Sequence, residues 1–298
     1  MSWLLLTKIY PVLDTTPPPA PGFTAATGQP RFEKSCWDIH CQGEPIGYAA
    51  NHTEGDGQGN VRVQSTVELT DIPVGELMAD LLSTWSVLAR WASPIPVETT
   101  LSVETHTEME FFEGALTRFR SRVHLDQAEA MFELMGEREA EGLNVSVEPG
   151  PILEQAGMTE PLYSSVLPVP RDSLVIDSLS PYSELQNLRV GKRWQVQTYR
   201  AFPPTQPLRT ILATVSRTEM VVWDGEIVTC FVIEFADMNP SGPTASAGPA
   251  GHMWVDDSGM VLKQSMQVGG IELDFLRKPD AFCGSRLLRE SSVMESTR

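Results

Sequence analysis

Residues 252–277, HMWVDDSGMVLKQSMQVGGIELDFLR, constrain the fold more than any other stretch. Met253-Trp254-Val255 runs into Asp256-Asp257-Ser258-Gly259, and residues 260–268 run out again. Asp and Ser side chains bond nearby backbone and Gly accepts positive φ, so the centre is a turn between two strands. Gly269-Gly270 breaks the second strand, and Ile271, Leu273 and Phe275 then alternate with Glu272 and Asp274. Alternation with a period of two is the mark of a half-buried strand. The segment is expected to form a closing edge of an antiparallel sheet. It carries no chemistry.

The same period recurs along the chain. Trp37, Ile39 and Cys41 share one face of a strand and Cys36, Asp38 and His40 the other; a Gly-containing turn leads to Ile46-Gly47-Tyr48. Residues 61–69, 100–111, 116–125, 131–138, 143–148, 192–199, 209–222 and 227–235 read as further strands, several joined by short polar turns. Roughly ten or more antiparallel strands are expected, and a meandering sheet that long must curl, close or be covered. Arg118, Arg120 and Arg122 fall on one strand face, opposite Glu104, Glu108 and Glu110 on its neighbour. Cross-strand charge pairs on an exposed face explain this pattern, each worth a few tenths to ~1 kcal/mol. An anion site built from the three arginines is the alternative.

Residues 73–91 break the alternation. Leu77, Leu81, Trp85 and Leu88 recur at helical spacing, and Leu82 and Ala89 widen the stripe. Pro73 suits a first helical turn, and Pro94 and Pro96 close the segment. The expected architecture is mainly β: a curved antiparallel sheet, or half-barrel, with one amphipathic helix packed on its concave face. Leu77, Leu81, Trp85 and Leu88 are the candidate ligand-binding residues, on a helix that either lids a cavity or simply fills the core.

Along the chain, residues 1–13 are a short apolar segment, read as a packing segment or the remnant of a membrane anchor. Residues 14–31 are a Pro-rich linker, 32–277 a single β-rich domain and 278–298 a tail. At 298 residues the chain is long enough for a sizeable core. A net charge of −17 excludes nucleic acid as a natural partner, because phosphates would be repelled. Solubility accounts for the charge, with attraction of a cationic partner as the alternative. No segment reaches the ~18–20 apolar residues of a membrane-spanning helix. Cys36, Cys41, Cys230 and Cys283 do not form the spacing of a disulfide framework and are expected to be free thiols in strands.

The catalytic search is negative. The chain contains no G-x-S-x-G elbow, P-loop, H-E-x-x-H or C-x-x-C motif. The G-x-G at Gly57-Gln58-Gly59 lies in an acidic loop with no helix after it. Cys36, Asp38 and His40 share a strand face, but alternation alone places them there, and no metal or catalytic role is assigned to them. No enzyme activity, cofactor or metal is expected.

Two short signatures carry a resemblance. One is Trp37-Asp38-Ile39, a Gly turn and Ile46-Gly47-Tyr48. The other is Trp254-Val255-Asp256 through Gly259 to Val261-Leu262-Lys263-Gln264, approached by Leu188-Arg189-Val190-Gly191-Lys192-Arg193-Trp194. Over about residues 35–277 the chain resembles the lipoprotein-carrier-like (LolA/LolB-like) superfamily. It also resembles uncharacterised bacterial envelope domains that precede transglutaminase-like modules. The resemblance implies a half-barrel with a helix against its concave face, and a lipid or lipoprotein ligand in the concavity. It further implies a place in the cell envelope or periplasm, with a cytoplasmic location as the alternative, and an envelope protein as a further partner. A structural or interaction domain with a filled core and no ligand is the competing expectation.

Overall fold

A computed structural model describes residues 30–73, 100–125, 130–155, 157–167, 175–177, 180–199, 208–238, 251–268 and 271–283. The strands are β1 (Arg31–Cys41), β2 (Glu44–Gly55), β3 (Asn60–Pro73), β4 (Thr100–Phe112), β5 (Ala115–Leu125), β6 (Ala130–Arg138), β7 (Leu143–Pro149) and β8 (Tyr163–Leu167). They continue as β9 (Val175–Asp177), β10 (Arg193–Tyr199), β11 (Leu208–Trp223), β12 (Glu226–Asp237), β13 (Gly251–Val255), β14 (Val261–Val268) and β15 (Ile271–Arg277). Helical structure among the described residues is α1 (Pro151–Gln155) and a turn at 280–283.

All fifteen strands belong to one sheet, ordered β8-β7-β6-β5-β4-β3-β2-β1-β15-β14-β13-β12-β11-β10-β9. Two meanders therefore meet where the first strand pairs with the last. In that antiparallel seam Trp37 faces Arg277 and Ile39 faces Phe275. The short β9–β10 contact is parallel and every other pair is antiparallel. The two ends of the series, β8 and β9, are not hydrogen-bonded to each other, so the sheet is open.

The alternation in the sequence is what sorts the faces. Trp37 and Ile39 on β1, Ala49 on β2, Val67 and Leu69 on β3, and Leu273 and Phe275 on β15 are all buried on one side. Laid flat, fifteen strands would span about 70 Å. Bulges at Ile39/His40, Leu69/Ile72, Val215/Arg217 and Trp254/Val255 sharpen the twist and let the sheet coil instead.

Several expectations change. Residues 252–277 form β13–β15 as predicted, with the turn at Asp256 to Gly259. They lie in the middle of the sheet, not at its edge, because β15 is taken by β1 and β13 by β12. Pro73 does not open a helix; it ends β3, paired with Thr100, at a strand terminus where its missing N–H costs nothing. The remainder of the predicted amphipathic helix, with Leu77, Leu81, Trp85 and Leu88, lies outside the described residues. Cys36 is not a free thiol: it is bonded to Cys283, 247 residues away, with Cα atoms 5.5 Å apart. Cys41 and Cys230 are in no disulfide, as expected, and both are buried.

Candidate functional site

The concave face divides into two regions separated by a polar row. Ser35, Asn51, Ser65, Thr107 and Ser121 stand opposite one another on β1 to β5 and are all buried. Small hydroxyl and amide side chains at a buried inward position must find partners, because an unmade bond there costs ~1–3 kcal/mol. Thr107 and Ser121 bond each other at 2.9 Å. The others bond a strap of irregular chain, residues 180–185.

The strap crosses the strands. Ser180 Oγ donates to Ser65 Oγ at 2.7 Å, and Asn51 Nδ2 donates to the Pro181 carbonyl at 2.6 Å. The Ser183 and Ser35 hydroxyls lie 2.7 Å apart. Arg277 Nη1 donates to the Ser183 carbonyl at 2.8 Å, and the Tyr182 N–H donates to Gln264 Oε1 at 3.2 Å. The strap then docks on the Asp256–Gly259 turn, where the Leu185 N–H donates to the Gly259 carbonyl at 2.8 Å. Asp256 Oδ1 holds that turn by accepting from Ser258 Oγ at 2.7 Å and from the Met260 N–H at 2.8 Å. Gly259 sits at φ +96°, where a side chain would also meet the Leu185 carbonyl. Tyr182, on the strap, is half-buried against the core, and desolvation pushes its phenol above its ordinary range.

On the C-terminal side of the seam the strap and strands close tightly. Trp194, Val215, Ile233, Met253, Val255 and Phe275 are almost or entirely without exposure. Arg277 is buried with them, its guanidinium 5.7 Å from the centre of the Trp37 ring and 3.6 Å from Asp280. Trp37 Nε1, Asn51 Oδ1 and Arg277 Nε are buried without a hydrogen-bond partner among the described residues.

The N-terminal side is different. Val63, Phe111, Leu116, Phe119, Phe132, Leu134, Leu143, Val145, Val147 and Leu167 form a second apolar cluster over β3 to β8. Phe119 and Phe132 each keep 7% exposure, and Val61, Met109, Val123 and Met131 beside them are only half-buried. Gly136 makes room for the Phe119 ring, which occupies the place of a Cβ. Val61, Met109 and Val123 thus leave the margin of this buried apolar cluster partly open to solvent.

The opposite face of β3 to β6 carries a network of ion pairs. The arginines of β5 reach across to β6 and not to the glutamates of β4 that face them in register. Arg120 forms a two-pronged bond to Glu133, which Arg122 Nε also contacts at 2.9 Å. Arg118 bonds Glu137 at 3.1 Å. Glu108 and Glu110 are taken by Arg62 of β3 at 3.1 and 3.0 Å. The hydrogen bond from Arg120, with Arg122 beside it, holds the Glu133 carboxyl below its ordinary value. Arg120 and Arg122 share Glu133 and Arg118 is bonded to Glu137, so the three arginines make a structural network with β6 and not an anion site.

The sequence-level trio Cys36, Asp38 and His40 also separates. Cys36 is in the disulfide, Asp38 pairs with Lys278, and His40 Nδ1 is 3.2 Å from the Gly43 carbonyl. Two histidines do meet: His106 and His124 pack edge-on at 5.6 Å, with Glu104 2.8 Å from His106 Nε2. Among the described residues no group of three or more His, Cys, Asp and Glu is placed to hold a metal ion. The polar row and the strap were not anticipated. The row's Ser, Asn and Thr at inward-facing positions were the available signal, but the strap's own sequence has no period.

No protein-family model matches the chain. No curated protein matches it. Among solved structures it is similar to the β-barrel-like protein of domain of unknown function DUF1849 from Brucella abortus. The two share 10% identity over 84% of this chain and 97% of that one, with a TM-score of 0.45.

Proposed function

We propose that this chain is a non-enzymatic binding domain of the cell envelope that seats an apolar ligand, of lipid or lipoprotein-acyl type, on the concave face of β3 to β8. The observation that carries this reading is the contrast between the two halves of the concavity. One half is filled by the strap; on the other, Val61, Met109 and Val123 are only half-buried around the buried rings of Phe119 and Phe132. Binding sites for apolar ligands are concave, aromatic-rich surfaces of this kind. The Cys36–Cys283 disulfide supports an oxidising compartment outside the cytoplasm, where such bonds persist.

Incubation with a bacterial lipid extract followed by native mass spectrometry tests the reading. Retained lipid mass on the wild type, reduced in Phe132→Asp, is the expected result. A protein that emerges without lipid, and that also fails to enhance a fluorescent fatty-acid probe, would overturn it. The competing reading, an interaction domain with a filled core, is favoured by the strap-filled half and would then stand.

A further inference from the structure

Leu273, Phe275 and Arg277 alternate along β15, and the first two belong to the core. The next inward position is therefore a cation. Arg277 keeps only 6% exposure, and Trp37, opposite it across the seam, keeps 1%. Burying a charge is costly unless a counter-charge and hydrogen bonds compensate it. Arg277 has little of either. Its Nη1 donates to the Ser183 carbonyl at 2.8 Å, and the Trp37 ring centre lies 5.7 Å from the guanidinium. Its one ion pair among the described residues is with Asp280, at 3.6 Å, which is too long for a hydrogen bond. Its Nε is buried without an acceptor among the described residues.

The Trp37 indole has the same deficit. A buried indole N–H usually finds an acceptor, and Trp37 Nε1 has none among the described residues. Two N–H donors, one of them cationic, are thus left over on facing residues of β1 and β15. Asn51 Oδ1 is also buried without a partner, but it is an acceptor, and its amide nitrogen is committed to the strap at Pro181. The corner opens at the rim of the sheet. Arg277 ends β15, and the Asp280 side chain beside its Nη2 is 74% exposed, so that edge of the guanidinium faces outward.

From this geometry we infer that Arg277 and Trp37 form a binding site for a carboxylate. The flat guanidinium matches the two oxygens of that group. One oxygen accepts from Arg277 Nε and the other from Trp37 Nε1. A free organic acid and the acid end of an acyl chain present the same group. The site lies at the seam, under the strap and away from the margin of Val61, Met109 and Val123, so the apolar-ligand reading can fail without it.

Indole N–H resonances of the full chain with isotope-labelled tryptophan are the test, with Trp37 assigned from Trp37→Phe. Sodium acetate and sodium octanoate, titrated at constant ionic strength, should move the Trp37 resonance saturably. Sodium chloride and methyl octanoate should not. Tighter binding of octanoate than of acetate would assign the site to acyl chains, and equal or weaker binding to small organic acids. By calorimetry, octanoate should bind about tenfold more weakly to Trp37→Phe, which removes the N–H and keeps the ring, and to Arg277→Lys, which keeps the charge and removes Nε. Asp280→Asn changes an exposed side chain and removes a competing carboxylate, so it should bind octanoate more tightly; it decides the question if the other two variants do not fold. A Trp37 resonance that neither carboxylate moves, an equal response to chloride or to the ester, or octanoate affinity unchanged in Trp37→Phe or in Asp280→Asn would overturn the inference.

Discussion

Cys36 on β1 and Cys283 in the turn after β15 are bonded to each other across 247 residues, beside the seam that joins the two meanders. The Lys278 N–H donates to the Cys36 carbonyl at 2.9 Å, and Lys278 pairs with Asp38, so the disulfide, a backbone bond and an ion pair tie the same corner. A covalent loop of that length restricts the unfolded chain strongly. Cys36→Ser/Cys283→Ser is expected to lose about 2–5 kcal/mol, read as a lower urea midpoint. Reductant should lower the wild-type midpoint equally and leave the double variant unmoved. An unchanged midpoint in both would show that the pairing carries no stability.

The two remaining cysteines make a second prediction. Cys230 is fully buried, and its thiol is raised to about 11, first by desolvation and then by Asp256 and Glu219. At neutral pH the thiolate, the reactive form, is then about one part in ten thousand. Ellman's reagent should find no reactive thiol in the native protein, two after unfolding without reductant, and four after unfolding with it. Rapid native labelling of Cys230 would contradict the burial.

Gly47 and Gly136 separate two kinds of close approach. A Cβ on Gly47 would lie 2.0 Å from the Glu68 carbonyl oxygen, which is the backbone of the paired strand. Only separation of β2 from β3 relieves that clash, so Gly47→Ala should cost more than about 2 kcal/mol in chemical denaturation. A Cβ on Gly136 meets only the Phe119 ring, 1.9 Å away, which can turn aside. Gly136→Ala should be the milder of the two, with a changed response to apolar fluorescent probes because the displaced ring lies in the open half of the concavity.

Glu133 gives a pH prediction with a definite sign. Arg120 and Arg122 hold its carboxyl below the ordinary 4.5, so the unfolded chain binds the proton more readily. The contribution is present above that value and is lost as pH falls through the lower folded value. The arginines are about half exposed, so solvent screening keeps it under about 1 kcal/mol. Glu133→Gln should therefore lower stability at neutral pH by that small amount and flatten the acid limb, the two proteins converging at low pH. Denaturant titrations at stepped pH, with parallel acid limbs for both proteins, would count against the network.

Much of the strand content was legible because its cause is local. Successive side chains point to opposite faces, so Trp37, Ile39 and Cys41, or Leu273 and Phe275, declare their burial by spacing alone. The turns at Asp256 to Gly259 and Trp223 to Glu226 were legible for the same reason, since a short carboxylate and a glycine act within four residues. The charge stripe on β5 was legible as a face but not as pairs. Each arginine has carboxylates on both neighbouring strands, and the reach of the side chains, not the spacing, sends Arg120 to Glu133.

Sequence alone therefore determined that this is a sheet of hairpins, which residues of each strand face inward, and where most of the chain reverses. Tertiary structure decided the rest: that β1 closes on β15, that Cys36 finds Cys283, that the strap fills one half of the concavity, and that Trp223 of the β11–β12 hairpin reaches the Arg277 carbonyl. These depend on contacts between segments far apart in the chain. A two-residue period specifies a face but names no partner, and only the coiling of the whole sheet brings those partners within bonding distance.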